Sequence, residues 1–429
     1  MIGKGRCIYC SALFFFCMNF FSTCFRLAAL GGLLNGLLVA PAAAQDTTLV
    51  RLSRQNHYAL QVSGAQCSGA GWDKLLASAQ KSQFVLVGED HGTAQIPLFT
   101  AALARAFQPA VYVAEVDSYV AQTLTELTAQ PGPPTAYLRQ YPGALCFYTL
   151  AEEYDLVKAL RAQQVRLVGL DQVWSFSAAP FYARLAQQVK SPTTRTYLRQ
   201  RAASYQAQDQ ANERLGGHRY AMTSQAPSAG DSLVALTKNE SPAVQKMVQD
   251  YVTSYRIYTG RGTHQARLDL MKRNLLQALR PYQMATGLAT PKMLFKFGGL
   301  HLARGASPIG FGEFYDVGNL VQNLADVQDQ KSLHILILGK QGTKAAGLNP
   351  KFPAKNIVTY TEADYDADIP VKLFTDQVSG SAWSVFNLRP LRTALTDGKL
   401  HVASQALERT LMGYDYLVVI PETTASQPM

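Results

Sequence analysis

Phe84-Val85-Leu86-Val87-Gly88-Glu89-Asp90-His91-Gly92-Thr93 decides the fold of this chain. Five residues without a charge end in an acid, a second acid and an imidazole, with a glycine on each side. A continuous apolar run of this length suits a strand covered on both faces, as in a parallel sheet. Ligands of open parallel sheets bind beyond the carboxyl ends of the strands. Glu89 and His91 therefore stand where a ligand would arrive, and the glycines let backbone and ligand approach closely. Taken alone, the pair could merely cap the helix that follows.

Other strands end the same way. Val111-Tyr112-Val113-Ala114 runs into Glu115-Val116-Asp117, and Val165-Arg166-Leu167-Val168-Gly169 into Leu170-Asp171-Gln172. Met293-Leu294-Phe295-Lys296-Phe297 runs into Gly298-Gly299-Leu300-His301. Buried strands rarely carry acids at their ends without partners. One such acid is usually a cap or an Arg partner, whereas four strand ends together indicate a shared site. His334-Ile335-Leu336-Ile337-Leu338 and Tyr416-Leu417-Val418-Val419-Ile420 complete the apolar runs, and helical patterns at 97–107 and 150–163 lie between strands. The alternation predicts an α/β fold, a mostly parallel sheet flanked by helices.

Residues 178–290 break this rhythm. They are rich in Gln, Ala, Arg and Tyr and read as helices at 181–189, 195–214, 243–259 and 265–284, with a polar loop at 216–230. This is a long helical insertion, expected to roof the cleft as a lid. On its last helix Arg267, Met271 and Asn274 share one face, which suits a polar pocket wall or, equally, a surface helix. The stripe Tyr251, Tyr255, Tyr258 reads as core packing. The segment after Pro421 is polar and expected to be loose.

Of 429 residues, 48% are apolar and 16% charged, a globular composition. The formal net charge is +10, but Lys and Arg are scattered, so no nucleic-acid footprint is expected. Residues 1–44 carry Lys4, Arg6 and Arg26, no acid, and two apolar stretches ending in Pro41-Ala42-Ala43-Ala44. They read as a signal peptide cut before Gln45, leaving a mature domain of 45–429, periplasmic or secreted and without a stable membrane anchor. Translation from Met18 would give a leader of ordinary length. The rival reading is an uncleaved anchor at 8–25. Beyond the leader only Cys67 and Cys146 remain, either paired in a disulfide or two small buried residues.

Two imidazoles and two or three carboxylates could hold a divalent metal. They could equally act as a general base and its orienting acids, with no metal. There is no Gly-x-Ser-x-Gly elbow, which argues against a serine nucleophile, and no His-Glu-x-x-His helix of a zincin.

Leu86 to Thr93 resembles the opening Gly-Glu…His-Gly motif of the erythromycin esterase family. Arg267…Met271…Asn274 is similar to that family's Arg-Asp-x-x-Met-x-x-Asn signature, with Leu268 in place of the Asp. Gly298 to Arg304 and Tyr414 to Ala425 resemble its later His-bearing strand end and its closing strand. One residue separates Glu89 from His91 where the family has two, a spacing nearer the related ChaN-like haem-uptake proteins and TIKI-type metalloproteases. The resemblance implies His91 as the base that activates water, Glu89 and Glu115 as its supports, His301 as completing the site, and Arg267 on the substrate carbonyl. Asn274 and Asp171 join the substrate-binding set. The implied activity is hydrolysis of an ester or related acyl bond in a small-molecule or peptide substrate. Metal-dependent peptidase and haem or iron binding are the alternatives. A metal, if needed, would fall on Glu89, His91, Glu115 and His301.

Overall fold

The computed structural model describes residues 40–64, 66–215, 220–286, 290–309, 312–346, 357–364 and 369–429. The strands are β1 His57–Ser63, β2 Gln66–Ser68, β3 Phe84–Glu89, β4 Val111–Ala114, β5 Arg166–Gly169, β6 Met293–Gly298, β7 Ser332–Ala345, β8 Ile357–Thr361, β9 Trp383–Asn387 and β10 Tyr416–Thr423. They form one sheet in the order β2-β1-β9-β10-β7-β3-β6-β4-β5, with β8 paired to β7 beyond this path.

The six strands from β10 to β5 are mutually parallel. They include every apolar run singled out in the sequence, and β3, β6, β4 and β5 are consecutive neighbours. β1, β2 and β9 add an antiparallel edge, so the sheet is mixed. These strands were not anticipated because they alternate Gln and Ser with apolar residues instead of running apolar throughout.

The two-residue period of the strands sorts the core onto two faces. Val85, Val87, Tyr112, Ala114 and Leu294 pack with Phe99 and Leu103 of the helix Gln95–Phe107 and Leu156 and Leu160 of the helix Ala151–Ala162. Phe84, Leu86, Val113, Phe295 and Phe297 pack on the other face with Leu268, Met271 and Leu275 of the helix His264–Thr286. Each fully buried side chain of this kind contributes about 1.5–3 kcal/mol. The same period makes Glu89 and Lys296 continue the first face, toward the helix Ala151–Ala162.

Between β5 and β6 lie the helices Ala178–Gln188, Pro192–Leu215, Ser228–Thr237, Pro242–Thr259 and His264–Thr286. The helix Ser228–Thr237 begins inside the span read as a loop; residues 216–219 of that span lie outside the described residues. The insertion has its own core, in which Tyr251 stacks on Phe181. It is fastened to the helix Ser118–Leu127 by Tyr119 donating to Asp250 at 2.7 Å and by Arg184 to Glu126 at 2.9 Å.

One open alternative is decided and one expectation corrected. Cys67 and Cys146 are both free thiols. The segment after Pro421 is held rather than loose. Ala94 N–H donates to Thr424 O, Ser426 N–H to Gly92 O, Ala151 N–H to Gln427 O and Met429 N–H to Thr149 O, at 2.8–3.0 Å. Backbone pairing, which side-chain polarity does not report, anchors it. Gly92 has φ +88°, and a Cβ there would lie 2.4 Å from Ala345 O, so the loop closes only around glycine.

Nearly all of the proposed leader, 1–39, lies outside the described residues, including Met18 and the stretch 8–25. The described helix Ala40–Gln55 runs through the expected cut before Gln45. Among the described residues no helix is long and apolar enough to cross a membrane.

Candidate active site

Glu89 ends β3, Glu115 follows β4, Asp171 lies two residues beyond β5, and His301 closes a 3-10 turn, Gly299–His301, after β6. Because these strands are parallel neighbours, their ends share one edge, and the structure brings all four together with His91. His91 Nδ1–H donates to Glu89 Oε1 at 2.9 Å, and His91 Nε2 faces Glu115 Oε2 at 3.4 Å. His301 Nε2 lies 3.4 Å from the other Glu115 oxygen. A Cβ at Gly298 would sit 3.0 Å from His91 Nε2, so any larger residue there would push on the imidazole. The His91 side chain is 16% exposed.

Arg267 reaches the edge from the insertion. Its Nη2 donates to Glu115 Oε1 at 2.8 Å and to Asp171 Oδ2 at 2.6 Å, its Nε to Asp171 Oδ1 at 3.0 Å, and its Nη1 lies 3.3 Å from His301 Nε2. Asp171 thus spends both oxygens on Arg267. Asn274, expected at the substrate, donates to Leu170 O at 2.7 Å and holds the β5 end in place. Met271, on the same face, is fully buried. Asp117 accepts from the N–H groups of Tyr119 and Val120 as the cap of the helix Ser118–Leu127, and from Trp174 N–H.

Several contributors went unread in the sequence. Asp316 accepts from His301 Nδ1 at 2.5 Å and caps the helix Val317–Asp326. Phe147 stacks on His91 with ring centres 3.9 Å apart and planes 14° apart. His264, one helical turn before Arg267, lies with its ring centre 6.5 Å from that of His301. Lys296, on β6, contacts Glu89 Oε1 and donates to Glu153 Oε1 at 2.6 Å. A lysine inside the run Met293-Leu294-Phe295-Lys296-Phe297 was a usable signal, since a buried ammonium demands a carboxylate.

Burial disfavours a charged imidazole at His91, but hydrogen bonding to Glu115 and Glu89, together with their charges, overcomes it and pushes His91 up to about 10. Burial also opposes charge on Glu89, yet Lys296 and His91 hold its carboxyl below the usual range. Glu115 lies well below that range, since His301, His91 and Arg267 outweigh its burial. His301 is raised despite burial, by Asp316 and Glu115. His264 is lowered to about 4 by burial and by the charges of His301 and Arg267. At neutral pH the edge is a lattice of alternating charges.

A divalent ion on this edge would need His91 Nε2, His301 Nε2 and Glu115 turned to one point. Glu115 Oε1 instead accepts from Arg267 and Oε2 from Gly298 N–H at 2.6 Å, and the guanidinium stands against His301 Nε2. Arg267 already supplies the positive charge, and the residues as arranged do not fit a metal. No group of three or more His, Cys, Asp or Glu among the described residues has a metal-holding arrangement. A cavity of ≈ 580 Å³ runs along the free edge of β5, lined in part by Tyr112, Asp117, Gly169, Asp171 and Asn274. It touches the cluster through Asp171 but contains neither His91, Glu115 nor His301, so the chemistry lies beside it.

The chain has the fold of the erythromycin esterases. It superposes on a mutant of erythromycin esterase EreC in its open conformation with a TM-score of 0.54 at 15% identity, covering 86% of this chain and 98% of that one. A protein described as a succinoglycan biosynthesis protein superposes with a TM-score of 0.54 at 13% identity, covering 90% and 99%. A Bacillus cereus protein does so with a TM-score of 0.53 at 13% identity, covering 90% and 99%. No protein-family model and no curated protein matches the sequence.

Proposed function

We propose that this chain is a hydrolase that cleaves an ester or related acyl bond with water activated at His91, without a serine nucleophile and without a metal. The observation that carries the reading is the fixed orientation of His91. Glu89 holds Nδ1, which leaves Nε2, facing Glu115 Oε2 at 3.4 Å, as the ring nitrogen that can take a proton. A water there loses its proton to Nε2 as its oxygen attacks the acyl carbon. The carbonyl electrons move onto oxygen, and the oxyanion meets His301 Nε2–H and the Arg267 guanidinium, both held in place beforehand. The intermediate collapses, the bond to the leaving oxygen breaks, and the imidazolium of His91 returns the proton to it. Water and ester become acid and alcohol. The raised basicity of His91 means that the base form is reached on the alkaline side, and that the acid form is strongly populated for the second step.

The insertion supports the reading, because it carries Arg267 into the site and can exclude water around it. Export of a mature chain from Gln45 is part of the proposal and rests on the leader sequence. N-terminal sequencing of protein made in cells should begin at or near Gln45, and an intact leader would refute export by cleavage. The function is tested with a panel of esters, thioesters and amides, using the wild type, His91→Ala and the wild type after chelation. The reading requires turnover that survives chelation and falls about 10²–10⁴-fold in the variant, the usual cost of losing a general base. Turnover abolished by chelation and restored by a divalent ion would point to the metal-dependent peptidase class instead.

A further inference from the structure

Behind Glu89, Lys296 joins it to Glu153 of the helix Ala151–Ala162. All three side chains are at most 3% exposed. Lys296 is two residues from the end of β6 and pairs in register with Val87 of β3 and Ala114 of β4, so it stands on the strand between the one that ends in Glu89 and the one that Glu115 follows. Lys296 and His91 meet the same oxygen, Oε1 of Glu89. The groups facing the ammonium are Glu89 from the β3 edge, Tyr112 from β4 and Glu153 from its helix, with His91 on the far side of the Glu89 oxygen and Tyr148 on that of the Tyr112 hydroxyl. The two phenols are hydrogen-bonded to one another at 3.0 Å.

A buried ion pair gives little net stability compared with apolar residues of the same volume. This trio is stranger than a pair, because two carboxylates share one ammonium and each leaves its Oε2 buried without a hydrogen-bond partner. With both acids ionised the trio carries one excess negative charge, and the nearest cation able to balance it is a protonated His91. The trio is thus electrically completed by the catalytic imidazole. Burial and the charge of Glu89 raise the Glu153 carboxyl to about 7 although Lys296 lowers it, so Glu153 is the member whose charge can vary near neutrality.

We propose that Lys296, seated on Glu153, is a positioning residue that fixes the Glu89 carboxylate against Nδ1 of His91 and matches its charge to that imidazole. The proposal rests on the hydrolytic reading for its kinetic arm only. Its structural arm is the titration of His91 itself, followed by NMR in histidine-labelled full-length protein, which needs no substrate.

Glu153→Gln keeps the shape and leaves Lys296 to Glu89 alone, so His91 should release its proton about one pH unit lower, the low end of the shift produced by one nearby charge. Lys296→Met removes a cation beside Glu89 and should shift the titration upward, and a downward shift would count against the charge match. Where Lys296→Met does not fold, the double variant Lys296→Met, Glu153→Leu removes both charges and with them the folding penalty. It should lower kcat about tenfold at unchanged KM, and Lys296→Arg should restore part of that loss. A downward shift in Glu153→Gln with the kcat loss in the double variant supports the role. A wild-type titration in Glu153→Gln, or a wild-type kcat in the double variant, overturns it and leaves the trio a structural ion cluster. If the wild type turned over nothing on the ester panel, the hydrolytic reading would fall while the NMR shift still decided the positioning role.

Discussion

Arg267 Nη2 donates to Glu115 Oε1 at 2.8 Å, tying the last inserted helix to the end of β4. The same guanidinium holds both oxygens of Asp171 beyond β5. Arg267→Ala leaves the buried Glu115 and the half-buried Asp171 without their cation, and breaking such a pairing costs up to about 3–5 kcal/mol. It also removes a charge from the oxyanion position, worth about 10²–10³ in kcat. Arg267→Lys should keep much of the stability but little of the rate, because an ammonium cannot make the fork of bonds to Asp171 and Glu115 at once. Denaturant unfolding and steady-state kinetics on the two variants separate these effects. Equal losses of rate and stability in both would refute the oxyanion role.

Asp316 separates in the same way. It caps the helix Val317–Asp326 through Val317 N–H at 2.6 Å and holds His301 Nδ1. Asn is as good a cap as Asp. Asp316→Asn should therefore keep the melting temperature within a few degrees while lowering kcat about 10–100-fold, the usual effect of disturbing a partner that orients a catalytic imidazole. Asp316→Ala should add a loss of about 1 kcal/mol from the missing cap. Thermal melts of the two variants beside their kcat values check this.

The parallel half of the sheet and the four-strand constellation were legible because buried parallel strands leave continuous apolar runs, and an acid at the end of such a run stands out. Glu89, His91, Glu115, Asp171, Arg267 and His301 came from that pattern and the helical face. Asp316 and Phe147 did not, since their only link to the site is spatial: a helix cap 15 residues after His301 and an aromatic in a short turn. Asn274 carried the right face but the wrong partner, because a face predicts direction and not what fills it. The segment after Pro421 was misread since its grip is made by backbone groups.

The charge lattice gives stability a signed dependence on pH. His91 is raised from 6.5 to about 10 in the folded state, so its contribution is fully present below pH 6.5 and is lost as the pH rises through 10. Glu153, raised from 4.5 to about 7, acts with the same sign between those values. Glu89 and Glu115 are lowered, so their contributions are present above pH 4.5 and lost as the pH falls through their folded values. His264 and His334, lowered from 6.5 to about 4 and about 3, act with the opposite sign to His91, their contributions being lost as the pH falls below 6.5. Stability should therefore peak near pH 6.5 and decline toward pH 10 by a few kcal/mol. Melting curves from pH 4 to 10 test this, and His91→Gln should flatten the alkaline decline. A decline that persists unchanged in His91→Gln would mean that another group carries it.

Glu115 distinguishes support of the base from the chemistry itself. It is one of two carboxylates that keep the proton on His91, and it faces Nε2, the nitrogen that must be free to accept the proton of water. Glu115→Gln removes that charge at nearly constant shape. His91 should then lose its proton at lower pH, and the ascending limb of kcat/KM should move toward neutrality by about 1–3 units, the effect of one opposite charge at this distance. The amide still accepts from Gly298 N–H or Arg267 through its oxygen, so the edge stays assembled. The variant also leaves Arg267 and His301 less balanced, which strengthens their pull on an oxyanion but loosens their placement. The expected result is a shifted limb with a plateau reduced less than in His91→Ala. A plateau as low as that of His91→Ala, with an unmoved limb, would make Glu115 a direct participant in proton transfer and His91 its support, reversing the roles proposed for the two residues.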